Sequence, residues 1–286
     1  MVPTIFLAIL FLGILIAAYR DIQIREVPDT ISFGLIFIGL LGGLLLAIIQ
    51  QDVYVFLYRL AGFGAGALIG TIMYYSRQWG GGDAKLMMGV GAVIGIWYQE
   101  YTLLAFFVLL ILCGAIYGMV ITLWLSLITH RKKFIPVFTK VIRKPSIHRT
   151  RIMLVITGAI LIIVSFFVST ELKILIGFLL LATYLLIYAW IFSKAAEESI
   201  FIKEYSSAKL TEGDWLAQDV KIGKKVLVSK NTTGITLEQI ALLKKKGVKK
   251  VMVKEGIPFV PAFMIAYILL LVIIYTVGMS WFVGLF

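Results

Sequence analysis

The chain has 286 residues, of which 61% are hydrophobic and 15% charged, with a mean hydropathy of +1.00. Soluble domains carry about 45–50% apolar and about 25% charged residues, so an ordinary water-soluble protein is excluded. The formal net charge of +12 would form a basic patch on a nucleic-acid binder, but most of this chain is too apolar to leave lipid. No nucleic-acid partner is expected.

A helix crosses the hydrocarbon core with about 20 mainly apolar residues, its backbone polar groups satisfied within the segment. In chain order, eight stretches are expected as transmembrane helices: Val2 to Tyr19, Ile31 to Ile49, Val55 to Tyr75, Ala84 to Tyr98, Thr102 to Thr129, Ile152 to Val168, Leu172 to Phe192 and Phe259 to Phe286. The first has no basic residue ahead of its apolar run, and Tyr19-Arg20-Asp21 follows it in place of a cleavage site. It reads as an anchor, not a removed signal. The fourth is short, about 22 Å at the helical rise, so its start lies below the membrane surface or the bilayer thins around it. Small residues recur every fourth position, as Gly39/Gly43, Gly62/Gly66/Gly70, Gly91/Gly95 and Gly114/Gly118, which predicts close helix packing.

Between the fifth and sixth spans, His130 to Arg151 is a basic connector containing Pro136 and Pro145, expected to rest on anionic lipid head groups. After Phe192 the composition turns polar. Val226-Leu227-Val228 predicts a strand, Thr236 to Lys244 a helix stopped at Gly247, and Val248 to Val253 another strand. The expected architecture is an all-α polytopic membrane bundle of about eight transmembrane helices with a small α+β cytoplasmic domain. Its divisions are a membrane core at 1–129, a connector at 130–151, an additional hairpin at 152–192, a soluble domain at 193–258 and a last span at 259–286. With the amino terminus outside, every Lys and Arg except Arg59 and Lys173 faces the cytoplasm, as the positive-inside rule demands. The expected site is therefore the plasma membrane.

Cys113 is the single cysteine, so no internal disulfide forms, and it lies in an apolar run. His130 and His148 have no Cys or carboxylate cluster at metal-ligand spacing, and no phosphate-binding glycine motif is present. Neither a metal nor another cofactor is expected.

Two acids stand where the bilayer meets the cytoplasm. Asp21 ends the first span, and Asp83 follows Gly80-Gly81-Gly82 and opens the short fourth one. The alternation of spans puts both on one membrane face. Taken singly, Asp21 is explained as a juxtamembrane charge beside Arg20 or Arg25, and Asp83 as a helix N-cap. Taken together, two carboxylates brought close in a low-dielectric setting share one proton. One member then deprotonates a water while the other donates to a carbonyl oxygen. The three glycines would let extended backbone come near the acids at membrane depth. Lys85 is a candidate to tune Asp83 or bind a phosphate head group, with interfacial snorkelling as its plain alternative. Glu26 and Asp29 are candidates to meet a basic substrate, and Asp29 equally to cap the second span after Pro28.

At these residues the sequence resembles the type IV prepilin peptidase family, the G-x-G-D intramembrane aspartyl proteases, and especially its archaeal preflagellin peptidase branch. Gly80-Gly81-Gly82-Asp83-Ala84-Lys85-Leu86 is similar to the G-x-G-D-x-K-L signature, and Asp21 to Asp29 to the family's acid followed by a basic residue and a Pro-Asp turn. A further archaeal-looking stretch runs from Glu255 to Phe263. The resemblance implies a catalytic pair at Asp21 and Asp83 that removes basic leaders from prepilin-like or preflagellin-like precursors at the cytoplasmic surface. Arg25 falls in the first motif as a tuning or leader-contact candidate. Bacterial members often carry paired cysteines and an N-methyltransferase activity; with Cys113 alone, neither is expected. The expected partners are such precursors and membrane lipids, and the oligomeric state is not legible. Two other readings compete: the same dyad cutting other membrane peptides, and a proton-coupled transporter or scaffold using the acids as a relay.

Overall fold

The computed structural model describes residues 3–97, 101–222, 225–232, 234–276 and 278. The expected span ends Val2, Tyr98 and Phe286 lie outside the described residues. Among the described residues, six helices are long and apolar enough to cross a membrane, and the chain is a multi-pass membrane protein.

The amino-terminal bundle comprises α1 (Thr4–Ile24), α2 (Asp29–Gln50), α3 (Tyr54–Tyr75), α4 (Gly81–Ile94) and α5 (Thr102–Trp124), the last running on through a π-helical turn over Leu125–Thr129. Tight connections join the first three. Arg25 takes the left-handed conformation at φ 57° and its N–H closes on the Asp21 carbonyl, after which Pro28 sets the entry to α2. Asp52 accepts the N–H of Tyr54 at 2.9 Å and so covers one orphan donor at the start of α3.

The short α4 spans about 21 Å and is enclosed, with Leu86, Met87, Val90, Ala92, Val93 and Ile94 all fully buried. Its enclosure depends on missing side chains. A Cβ on Gly62, Gly66 or Gly70 of α3 would sit 2.3, 2.5 or 2.7 Å from the carbonyl oxygens of Gly91, Met87 and Ala84, and one on Gly39 of α2 would sit 2.6 Å from Ala92 backbone. Hydrocarbon tails offer no hydrophobic incentive for helices to associate, so this close backbone approach, with its dense dispersion contacts, holds α4 between α2 and α3.

The carboxy-terminal helix α10 (Val260–Thr276) returns to the same bundle beside α1 and α5. Phe263 packs tilted and Tyr267 edge-on against Phe106, and the buried Tyr267 hydroxyl donates to the Leu7 carbonyl at 2.7 Å. The phenol thus brings its own acceptor into an apolar core.

The basic connector folds as a helix, α6 (Arg131–Ile142), with Pro136 inside it. Phe134 and Val141 pack on Ile147 of α7 (Pro145–Ser165) and on Ile191, Ala195 and Ala196 of α8 (Thr170–Ala196). Only 6% of the most apolar window of α7, and of α8, is buried, against 28–39% for α1, α2, α3 and α5. The hairpin therefore presents nearly its whole apolar surface outward.

A small sheet region follows a π-helical turn at Glu197–Phe201: β1 (Ile202–Ser206), β2 (Trp215–Leu216), β3 (Val220–Ile222), β4 (Lys225–Val228), α9 (Leu237–Lys245) and β5 (Lys250–Lys254). β5 runs antiparallel between β1 and β2, pairing Ile202 and Trp215 with Lys254, while β3 and β4 form a separate hairpin. Thr236 and Gln239 exchange side-chain hydrogen bonds with each other's N–H groups and start α9, and Gly247 at φ 70° makes the turn out of it. Leu216, Val220, Val228, Ile240, Leu243, Val251 and Val253 make a hydrophobic cluster of their own. The strand and helix expected around Val226, Thr236 and Val248 are thus present, and β1 to β3 and α6 are additions.

Candidate functional site

One cleft of about 610 Å³ is lined by Asp21 and Asp83 together. Asp21 comes from the last turn of α1, Asp83 from the first turn of α4, and Tyr117 and Gly118 of α5 join them from a third helix. The opposite wall is the sheet region, through Tyr205, Asp214, Trp215, Lys254 and Glu255.

Asp21 is buried, with 6% of its surface exposed, and its Oδ2 accepts the N–H of Val260 at 2.8 Å. That amide is the first of α10, one of the donors a helix leaves unpaired at its start, so the carboxylate completes the end of a helix far away in sequence. Asp83 sits in the third position of α4 and its Oδ2 accepts the N–H of Gly80 at 3.0 Å. It therefore caps from within the first turn, while Gly80 occupies the N-cap.

The glycines do not form the extended stretch expected from the sequence. Only Gly80 is extended, at φ −71° and ψ 166°, whereas Gly81 and Gly82 already belong to α4. Gly82 matters through its missing side chain: a Cβ there would lie 3.0 Å from the Cβ of Val27. The bare first turn lets α4 lie directly on the loop after Asp21. Trp79, buried against Phe259 and Phe263, anchors the turn from below.

The other candidates are distributed unequally. Lys85 pairs with Asp29, its Nζ at 2.7 and 2.9 Å from the two carboxylate oxygens, which straps α4 to α2. Asp29 is the first residue of α2 rather than its N-cap, a place taken by Pro28. Glu26 lines the cleft. Arg25 lines the same cleft and donates to Glu255, which also accepts from Lys203 at 2.9 Å and Tyr205 at 2.5 Å. Burial raises the Glu255 pKa, but those three donors, with the Arg25 charge, outweigh it and hold the carboxyl down at about 2.

Glu255, Tyr205, Tyr117 and Trp79 are cleft or support residues that the sequence did not single out for a role. The Glu255 stretch was visible as a distinctive one, but without a link to Asp21. In the sequence Arg59 stands out only as one of two basic residues expected on the outer side. It is completely buried, donates to the Val93 carbonyl at 2.6 Å and lies 3.8 Å over the Phe6 ring.

Against known proteins, residues 8–119 match the type IV leader peptidase family, so the resemblance stated above is borne out over that segment, which contains both acids. The chain is 34% identical over 83 residues to the preflagellin peptidase of Methanocaldococcus jannaschii, covering 29% of this chain and 35% of that protein. It is 37% identical over 87 residues to the preflagellin peptidase of Methanococcus voltae, covering 30% and 37% respectively. With the prepilin peptidase EppA of Methanothermobacter thermautotrophicus it shares 34% identity over 79 residues, 27% of this chain and 20% of that one. The matches thus cover about a third of the length of the preflagellin peptidases. No solved structure matches the chain significantly.

Proposed function

We propose that this protein is a membrane aspartic endopeptidase that removes the leader of prepilin-like or preflagellin-like precursors at the cytoplasmic membrane face. The observation that carries the reading is the convergence of Asp21 and Asp83, from motifs 62 positions apart, on one cleft. In this reading the ionised acid takes a proton from water, and the resulting hydroxide adds to the scissile carbonyl carbon as the protonated acid donates to its oxygen. Collapse of the tetrahedral intermediate breaks the C–N bond, and a proton passes to the leaving amine.

The family match over 8–119 supports the leader-peptidase class, and the names of the relatives support the precursor class. We take α4 and α10 as further spans beside the six longer helices, giving eight, with the sheet region as a cytoplasmic domain. Glu26, on the cleft wall, is our candidate contact for a basic leader. The test is co-expression with a preflagellin precursor. Asp21→Asn and Asp83→Asn should each reduce leader removal by about a thousandfold or more while the protein still inserts in the membrane. Cleavage at the parental rate in either variant overturns the dyad.

A further inference from the structure

Two short stretches of chain lie side by side at the cleft and are fastened together at both ends. One runs from Asp21 to Arg25, the other from Glu255 to Val260. At one end the Arg25 guanidinium donates to Glu255. At the other the Val260 N–H donates to Asp21 at 2.8 Å. Both stretches are short and constrained: the Arg25 N–H closes a helical turn on the Asp21 carbonyl at 2.8 Å, and Pro258 stiffens the second.

The sheet region holds the second stretch. Lys203 and Tyr205 of β1 both donate to the Glu255 carboxylate, and the Glu255 N–H donates to the Phe201 carbonyl at 2.8 Å. We infer that Glu255 is a positioning residue for Asp21, through which the sheet region fixes the geometry of the acid pair. The inference rests on the reading of Asp21 as a catalytic acid. Releasing Glu255 frees the 255–260 stretch to shift, and with it the amide that orients the Asp21 carboxylate. Displacement of a reacting group by about 1 Å can cost about a hundredfold in rate. A group acting only on substrate affinity would change KM instead.

The test uses the full chain in detergent with a purified preflagellin precursor, and rates are expressed per monodisperse, folded molecule. Glu255→Gln should lower kcat about tenfold or more while KM stays within about twofold. Arg25→Gln should do the same, and keeps the question answerable if Glu255→Gln fails to fold. Because the two act through one contact, the double variant should be no slower than the slower single one. Unchanged kcat in both singles, a rise in KM alone, or multiplicative losses in the double variant would each overturn the positioning role. Asp21→Asn is run in parallel. If it cleaves normally, the catalytic reading itself fails; if it is inactive while both glutamine variants turn over normally, only the positioning role fails.

Discussion

At the end of β5 a single carboxylate answers to donors from two separate parts of the chain, with Arg25 lying 230 positions away from Glu255. Its pKa, held at about 2 against an ordinary 4.5, carries a stability consequence whose sign is fixed. The folded state favours the ionised form, so the contribution is complete above about pH 4.5 and is lost as pH falls through about 2. Arg25 and Lys203 are half exposed, which screens the interaction to on the order of 2 kcal/mol. Thermal melts across pH should therefore show the parent more stable than Glu255→Gln at pH 6, with the gap closing towards pH 2. A gap independent of pH would contradict the ion-pair account. Lys85 and Asp29 are more exposed than Glu255, so their pair is worth at most about 1 kcal/mol. Arg59 differs from both: its Nε and Nη2 have no hydrogen-bond partner among the described residues, and the Phe6 face is what offsets part of that desolvation.

At the scale of helices, the glycines divide by what faces them. Gly62, Gly66 and Gly70 of α3 and Gly91 of α4 oppose backbone: a Cβ on Gly91 would come 2.2 Å from the Gly62 carbonyl oxygen, and the rigid backbone there cannot give way. A Cβ on Gly118 of α5 would meet nothing within 4 Å. Gly62→Ala and Gly91→Ala should each destabilise the bundle by about 1–3 kcal/mol through overpacking, whereas Gly118→Ala should leave its melting temperature within the error of the parent. Equal effects at Gly91 and Gly118 would refute the assigned contacts. The four-residue spacing was legible in the sequence, since small residues at that interval line one helix face. Which helix each face meets was not, because periodicity carries no partner. The extended glycine stretch was misread for a related reason: Gly80 to Gly82 permit many conformations, and the Asp83 bond to the Gly80 N–H selects a helix start instead. α6 was passed over because its charges and Pro136 suggest a loop. Yet Phe134, Val137, Phe138 and Val141 fall at helical spacing and pack as one stripe on α8.

Across the whole molecule, the cleft lies where one end of the bundle meets the sheet region, and its assembly joins residues from the first helix to the last. The two acids could be read from sequence because each lies in a short local motif beside a span boundary. The wall opposite them could not, since Glu255 and Val260 reach Asp21 only through tertiary packing that no local pattern encodes. Charge distribution then orients this end. Every Lys and Arg other than Arg59 and Lys173 lies in the stretches 20–30, 76–85, 130–151 or 193–258; Arg59 is sealed inside the bundle. Translocating so many cations is strongly disfavoured, which places the cleft on the cytoplasmic side in our proposal. Single cysteines introduced into a Cys113→Ser background test this directly. Asp52→Cys, between α2 and α3, and Phe167→Cys, at the exposed tip of the α7–α8 hairpin, should react with a membrane-impermeant maleimide in intact cells. Lys132→Cys on α6 and Lys230→Cys after β4 should react only once the membrane is permeabilised. The reverse pattern would put the acids on the outer face, where a leader that is still cytoplasmic could not meet them.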